Sequence, residues 1–229
     1  MKPIIIAIDG FSSTGKSTLA KQLAKHLNYV YVDTGAMYRA IAYFAMQKQL
    51  IGEDFFDPQA LIAALPEISL VFQWNEQTQL AEMFLNGVNI EKEIRTLEVS
   101  QNVSKVATIS EVRAVLVQQQ QLMGKNKKLV MDGRDIGTVV FPEAELKLFM
   151  TASAETRAQR RFDELIAKGD HVSFEEIYKN VTERDFIDTN RADSPLVIAE
   201  DAIEIDNSYL SREEQFDLVL NIIKENFES

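Results

Sequence analysis

Gly10-Phe11-Ser12-Ser13-Thr14-Gly15-Lys16-Ser17 fits the pattern G-x-x-x-x-G-K-S/T, and its flanks decide how the remaining chain is read. Before it, Lys2-Pro3-Ile4-Ile5-Ile6-Ala7-Ile8-Asp9 carries a continuous apolar, β-branched run without alternation, which suits a parallel strand buried on both faces. After it, Leu19, Leu23 and Leu27 share one face of an amphipathic helix that starts at Lys16. Strand, glycine loop and helix follow one another directly. The glycines let the backbone curl until successive amides point inward, and the helix start adds partial positive charge. Such a loop holds phosphate, with Lys16 reaching the terminal oxygens and the Ser17 hydroxyl ligating Mg²⁺. The rival reading, a glycine-rich turn with no ligand, is disfavoured by the fit of the whole pattern to its structural context.

Outward from this unit, Tyr29 to Val32, Lys128 to Met131, Leu146 to Met150 and Ala202 to Ile205 read as further buried strands. A long helix is expected over Ala36 to Gln49, and Thr108 with Glu111, Ser173 with Glu176 and Ser211 with Glu214 fit capping boxes. Alternating strands and helices predict an α/β fold, a five-stranded parallel sheet flanked by helices, in one domain over residues 1–229. The stretch 66–94 breaks the pattern: Ile68 to Phe72, Leu80 to Leu85 and Asn86-Gly87-Val88 read as short antiparallel strands, an inserted subdomain. Gln118 to Gln121 is expected on the exposed face of a helix.

Composition narrows the function. With 46% hydrophobic and 26% charged residues the chain is an ordinary globular one. The absence of cysteine excludes disulfides, thiolate nucleophiles and cysteine-ligated metals, so a metal would take oxygen ligands. His26 and His171 read as surface histidines. A net charge of −11 argues against nucleic-acid polymers and anionic membranes as partners, and no run approaches a membrane span. Without an export signal, a cytoplasmic monomer is expected.

A phosphate loop alone does not separate kinase, GTPase switch, motor and sensor. The guanine-reading pattern Asn-Lys-x-Asp is missing, since Asn126-Lys127-Lys128-Leu129 ends in leucine. Asp132, closing the run Val130-Met131-Asp132-Gly133, stands where a strand-end carboxylate reaches Mg²⁺, although a turn aspartate is an equal reading. Arg39, Arg113, Arg134, Arg157, Arg160, Arg161, Arg184 and Arg191 are many for an acidic chain, whereas Arg95 and Arg212 read as solvated helix-face residues. Transfer of a phosphoryl group between anionic nucleotides needs such donors around the moving group.

Asp33-Thr34-Gly35-Ala36-Met37-Tyr38-Arg39, Gly133-Arg134-Asp135-Ile136-Gly137-Thr138-Val139-Val140-Phe141-Pro142 and Glu183-Arg184-Asp185-Phe186-Ile187-Asp188-Thr189-Asn190-Arg191 resemble the signature segments of bacterial cytidylate kinases, over essentially the whole chain. The resemblance implies a P-loop kinase fold with an inserted NMP-binding subdomain at 66–94 and a helical lid at 153–190. It implies transfer of the γ-phosphate of ATP to CMP or dCMP with Mg²⁺, for which the loop reading supplies Ser17 and the strand-end reading Asp132. Gly10 to Ser17 with Thr18 would contact ATP, and Lys16, Arg134, Arg157, Arg161 and Arg191 would act on the transferring group. By position, Ser12, Thr34, Arg39, Arg134 and Arg191 match residues around the acceptor phosphate. Ser104, Arg113 and Asp135 match readers of cytosine, and Arg184 with Asp188 match residues near the sugar. Taken singly each has a plainer reading, such as an Arg113–Glu111 surface pair, an Asp188–Arg191 helix pair, or Asp135 held by Arg134. Arg157 and Arg161, four apart on one helix face, would belong to the lid, Lys168-Gly169-Asp170 would be its turn, and Asp206-Asn207-Ser208 would hold adenine by backbone. Two departures stand out: Phe11 and Ser17 where the family commonly has proline and glycine, and Thr34 for serine. The competing expectations are a kinase for another small acceptor and a nucleotide switch that transfers nothing.

Overall fold

Every residue of β1 (Ile5–Gly10) is buried, because strands flank it on both sides and helices cover both faces. The computed structural model describes residues 2–227. After β1 come α1 (Lys16–Leu27), β2 (Val30–Asp33), α2 (Thr34–Gln47) and α3 (Pro58–Ala64). Three short strands follow, β3 (Leu70–Asn75), β4 (Leu80–Leu85) and β5 (Val88–Asn89), then α4 (Leu97–Val106) and α5 (Ser110–Met123). The chain returns to the main sheet with β6 (Leu129–Asp132) and β7 (Leu146–Thr151), crosses α6 (Ala154–Ala167) and α7 (Phe174–Asn190), and closes with β8 (Ile203–Asp206) and α8 (Arg212–Phe227). The main sheet has five strands in the order β2-β6-β1-β7-β8, all parallel, and β3-β4-β5 form a separate antiparallel sheet.

The alternate side chains of β1 enter different cores. Ile6 and Ile8 pack with Leu19, Leu23, Val219 and Ile223 under α1 and α8, while Ile5 and Ala7 pack with Met131, Ile136 and Val140 on the other face. A third core joins α2, α4 and α5 to Met83, Leu85, Ile90 and Ile94. The insert at 66–94 therefore forms the expected antiparallel strands, yet it shares its apolar face with α2 and α4 and has no core of its own. A fourth, small core of Ala158, Leu165, Ile177 and Val181 ties α6 to α7.

Local signals succeed and fail for identifiable reasons. Ser173 and Glu176 form the reciprocal capping box at α7, and Ser211 and Glu214 exchange the same bonds at α8. Thr108 does not cap α5: its hydroxyl donates to the Lys105 carbonyl at 2.7 Å, and α5 begins after Ile109 without a side-chain cap. The helix expected from Ala36 starts earlier, at Thr34, because the Asp33 carboxylate accepts from the Ala36 amide at 2.9 Å. Nor is the glutamine run all exposed, since Gln120 is buried against Met37. Among the described residues no helix is long and apolar enough to cross a membrane.

Gly10 ends β1 at φ +137°, where an added Cβ would lie 2.0 Å from the Met150 carbonyl oxygen of β7. We expect Gly10→Ala to lose about 3 kcal/mol or more in urea denaturation, since neither strand can retreat from a packed sheet. A loss below about 1 kcal/mol, the cost of an ordinary surface change, would show that the approach is looser than described.

Candidate active site

The carboxyl ends of the parallel strands open into one trough of about 630 Å³, where a doubly wound sheet customarily binds its ligands. Its floor is the loop after β1. Gly10, Ser13 and Gly15 take positive φ values there (137°, 58° and 92°), which turns the chain back on itself before α1. Thr14 Oγ1 donates to the Phe11 carbonyl at 2.9 Å, and Lys16 Nζ donates to that same carbonyl. Phe11 is an anchor: its ring meets Phe149 edge-on at 6.0 Å, and the Arg157 guanidinium lies 5.1 Å over its face. Burial, with Arg134 adding to it, lowers Lys16 from 10.5 to about 7.

Beside the lysine, the Ser17 hydroxyl donates to Asp132 Oδ2 at 2.9 Å, and Tyr31 donates to Oδ1 at 2.8 Å. Thr34 Oγ1 donates to the Asp132 carbonyl at 2.7 Å, so the threonine hydroxyl fastens β2 to β6. Burial and the nearby charge of Asp33 raise the Asp132 carboxyl, which a cation would reverse. Hydroxyl plus carboxylate is a donor set suited to Mg²⁺, which usually keeps waters and phosphate oxygens in its remaining positions. Among the described residues no three His, Cys, Asp or Glu side chains converge as a complete metal cage.

The far end of the trough is built from α2, α4, α5, α7 and the turn after β6. Arg113 is buried and forms an ion pair with Asp135, which displaces both simpler readings, pairing with Glu111 and retention of Asp135 by Arg134. Ser104 Oγ donates to Asp188 Oδ1 at 3.0 Å, and Arg134 Nε donates to Asp188 Oδ2 at 2.9 Å. Arg191 comes no closer than 4.0 Å to Asp188 and gives its Nε and Nη2 to the Ser194 carbonyl. Arg184 donates to Ser100 Oγ at 2.9 Å, and burial together with Arg134 lowers it to about 9. Arg39 and Arg95 both bind Asp33 Oδ2, at 2.9 and 2.8 Å; burial raises that carboxyl but the two guanidiniums outweigh it and hold it well below the usual range. Arg95 is thus a wall of the trough and not the solvated residue its sequence position suggests.

Ser12, Ser104, Arg113, Asp135, Arg134, Arg39, Thr34, Arg184, Asp188 and Arg191, chosen from separated segments, all line this one space. Among the described residues eight buried side-chain polar atoms lack a hydrogen-bond partner, and five of them belong to its walls: Ser12 Oγ, Tyr38 Oη, Arg39 Nε, Arg113 Nε and Arg184 Nε. Buried polar groups are nearly always satisfied, so orphans gathered on one cavity mark a polar ligand site. Arg161 and Arg160 line the trough, whereas Arg157 does not: Asp185 grips its guanidinium at 3.0 and 2.6 Å and Ala152 accepts from Nε at 2.9 Å. Arg160 holds Asn207 through its side-chain and main-chain oxygens, at 3.0 and 2.8 Å, and Asn207 in turn donates to the Thr14 carbonyl. Residues that sequence reasoning passed over are Arg95, Tyr31, Tyr38 and Asp9, while Arg160, part of the arginine set, had no role assigned. Only Tyr38 carried a signal, inside the segment Thr34 to Arg39.

Cations converge on the trough from Lys16 of the phosphate loop at one end and from α2, α5, the end of α7 and the segments bearing Arg95 and Arg134 at the other. Its fold and site place the chain among the P-loop phosphotransferases. It belongs to the cytidylate kinase family, whose family model, described as cytidylate kinase, matches residues 6–225. The cytidylate kinase of Flavobacterium johnsoniae is 72% identical over 225 residues, 98% of each chain. That of Flavobacterium psychrophilum is 67% identical over 97% of this chain and 99% of its own, and that of Phocaeicola vulgatus is 56% identical over 94% of both. Among solved structures, an uncharacterised protein from Eubacterium ventriosum superposes with a TM-score of 0.50 at 12% identity, over 98% of this chain and 99% of its own, and shares the fold alone.

The lowered Lys16 pKa gives a proton-linked prediction. Between about 7 and 10.5 the unfolded chain holds a proton on this lysine that the folded chain sheds, so the group adds stability as pH rises through that window. Phosphates favour the charged form again. Calorimetry of ADP binding at pH 8, in buffers of different protonation enthalpy, should show uptake of up to about one proton, shrinking below pH 7 and absent in Lys16→Met. Equal uptake in wild type and Lys16→Met would contradict the assignment.

Proposed function

We propose that this cytidylate kinase moves the γ-phosphate of ATP to CMP or dCMP, giving ADP and the diphosphate, with each half of the trough holding one nucleotide. The observation that carries the reading is the set of five unpartnered buried polar atoms on residues that line one cavity, beside the Arg113–Asp135 pair. Gly10 to Thr18 would cradle the donor phosphates, with Lys16 at the terminal ones. Ser17 and Asp132 would hold Mg²⁺, which when bound neutralises charge on the donor phosphates. Ser12, Thr34, Arg39, Arg134 and Arg191 would surround the acceptor phosphate, and Arg95, sharing Asp33 with Arg39, joins them in our reading. Arg184 and Asp188 would face the sugar, where a carboxylate can accept hydroxyl protons.

Cytosine recognition follows from donor and acceptor pattern. Arg113 can donate to the carbonyl and ring nitrogen, Asp135 can accept from the amino group, and Ser104 can serve either edge. Because Arg113 already grips Asp135, both are oriented before the base arrives. Uracil would set a carbonyl oxygen against the carboxylate, so it should be rejected. The acceptor is a phosphate oxygen that is already anionic near neutrality, so no general base is needed, and the work is positioning and charge stabilisation. Arg161 stands where a lid residue should, and Arg157, now held by Asp185, would have to exchange partners on closure. The separate core of α6 and α7 supports treating 153–190 as a lid that excludes water. The insert at 66–94 would brace the acceptor end through Ile94, next to Arg95. In this reading the enzyme acts as a monomer in the cytoplasm.

A coupled assay of ADP release with MgATP and CMP, dCMP, UMP, AMP, GMP and dTMP tests this. Rapid release is expected with CMP and dCMP and little with purines; release with none would return the weight to a nucleotide switch. Lys16→Met should lower turnover about 100-fold or more with the fold intact. Asp135→Asn should raise the CMP KM and narrow the gap between CMP and UMP, leaving the ATP KM in place; a fall in thermal stability with both KM values unchanged would make the pair purely structural.

A further inference from the structure

Asp9, the penultimate residue of β1 and the last before the phosphate loop, is buried and is not among the residues that line the trough. Its two carboxylate oxygens are both spent on main-chain amides of a distant segment: Ile136 N–H donates to Oδ1 at 2.8 Å and Gly137 N–H to Oδ2 at 2.7 Å. The preceding residue adds a third stitch, because Gly133 N–H donates to the Ile8 carbonyl at 3.0 Å. Residues 133–137 carry Arg134 and Asp135, and then enter a single π-turn, Ile136–Val140. The turn fits closely around the carboxylate. A Cβ on Gly137 would lie 3.3 Å from Asp9 Oδ2 and 3.1 Å from Lys147 Cδ.

An acid is a costly way to tie a turn. Burial lifts the Asp9 carboxyl to about 7 in spite of its two amide partners, so keeping it charged opposes folding above that pH. A hydrophobic residue would serve the core better, but only a carboxylate accepts from two diverging amides at once. Beyond Asp9 the chain runs straight into Gly10 and the donor cradle.

We propose that Asp9 is a positioning residue that fixes the distance between donor and acceptor, by fastening the segment bearing Arg134 and Asp135 to the strand that launches the phosphate loop. Phosphoryl transfer is sensitive to misplacement of this kind, since the reacting atoms must be held in line. The proposal rests on the kinase reading above but assigns a role to a residue outside the contact set.

Asp9→Asn keeps the shape and removes one of the two acceptors. We expect the CMP KM to rise and kcat to fall, each about tenfold, with the ATP KM within about twofold of wild type. The preference for CMP over UMP should shrink, and the thermal midpoint should hold or rise, because the buried charge is gone. Unchanged CMP kinetics, or equal damage to ATP and CMP with a lowered midpoint, would overturn the proposal and leave Asp9 a structural tie. Should Asp9→Asn fail to fold, Gly137→Ala presses on the same turn from the other side: the same split supports the anchor and its absence refutes it. The split is read against whichever monophosphate the wild-type enzyme phosphorylates, so a wrong acceptor assignment and a wrong anchor give different results.

Discussion

Repulsion among guanidiniums governs the design of the site. Arg39, Arg95, Arg113, Arg134, Arg184 and Arg191 face one enclosed space, and burial strips them of the water that would screen them. The chain answers with buried carboxylates: Asp33 for Arg39 and Arg95, Asp135 for Arg113, Asp188 for Arg134. Each of these acids takes only part of its guanidinium, and on Arg95 Glu91 takes the remaining Nε and Nη2, at 3.0 and 2.6 Å. Arg184, whose closest partner is the Ser100 hydroxyl, shows what happens without such an answer, since burial and Arg134 pull it down toward the range where it would shed its proton. Much of the acidity seen in the composition is spread over the exterior, but these few acids decide whether the cavity can exist.

The scaffold divides this burden among separate cores. Alternate faces of β1 feed two of them, the third supports the acceptor end through α2, α4 and α5, and the fourth joins α6 to α7 with Leu97 of α4 packed against it. The insert is tied to α2 and α4 by a shared core, and α7, packed on α6 on one side, brings Arg184 and Asp188 to the acceptor wall on the other.

Much of this was legible in the sequence, and the rest was hidden for physical reasons. The unbroken apolar run of β1, the loop and the leucine face of α1 are signals of short range, and each reads correctly from neighbouring residues. Arg95 was misread because its partner Asp33 lies 62 residues away and nothing local announces the contact. Asp9 was invisible as an anchor since its partners are main-chain amides, which carry no residue identity. Gln120 and Thr108 failed in the opposite manner: local rules about glutamine runs and capping were outweighed by packing against Met37 and by an acceptor left at the end of α4. Arg157 sits at the spacing of a site residue but is held by Asp185, which lies on the next helix.

Both edges of the main sheet are short strands. β2 and β8, the two edges of the main sheet, have four residues each, against six in β1 and β7. β8 carries the exposed Glu204 and Asp206, whereas the aspartate that ends β2, Asp33, is buried between Arg39 and Arg95. Exposed backbone at a sheet edge invites a second chain to add its own strand, and brevity with negative charge removes that invitation. At the β8 edge, then, brevity and exposed negative charge work against edge-to-edge pairing with another copy of the chain.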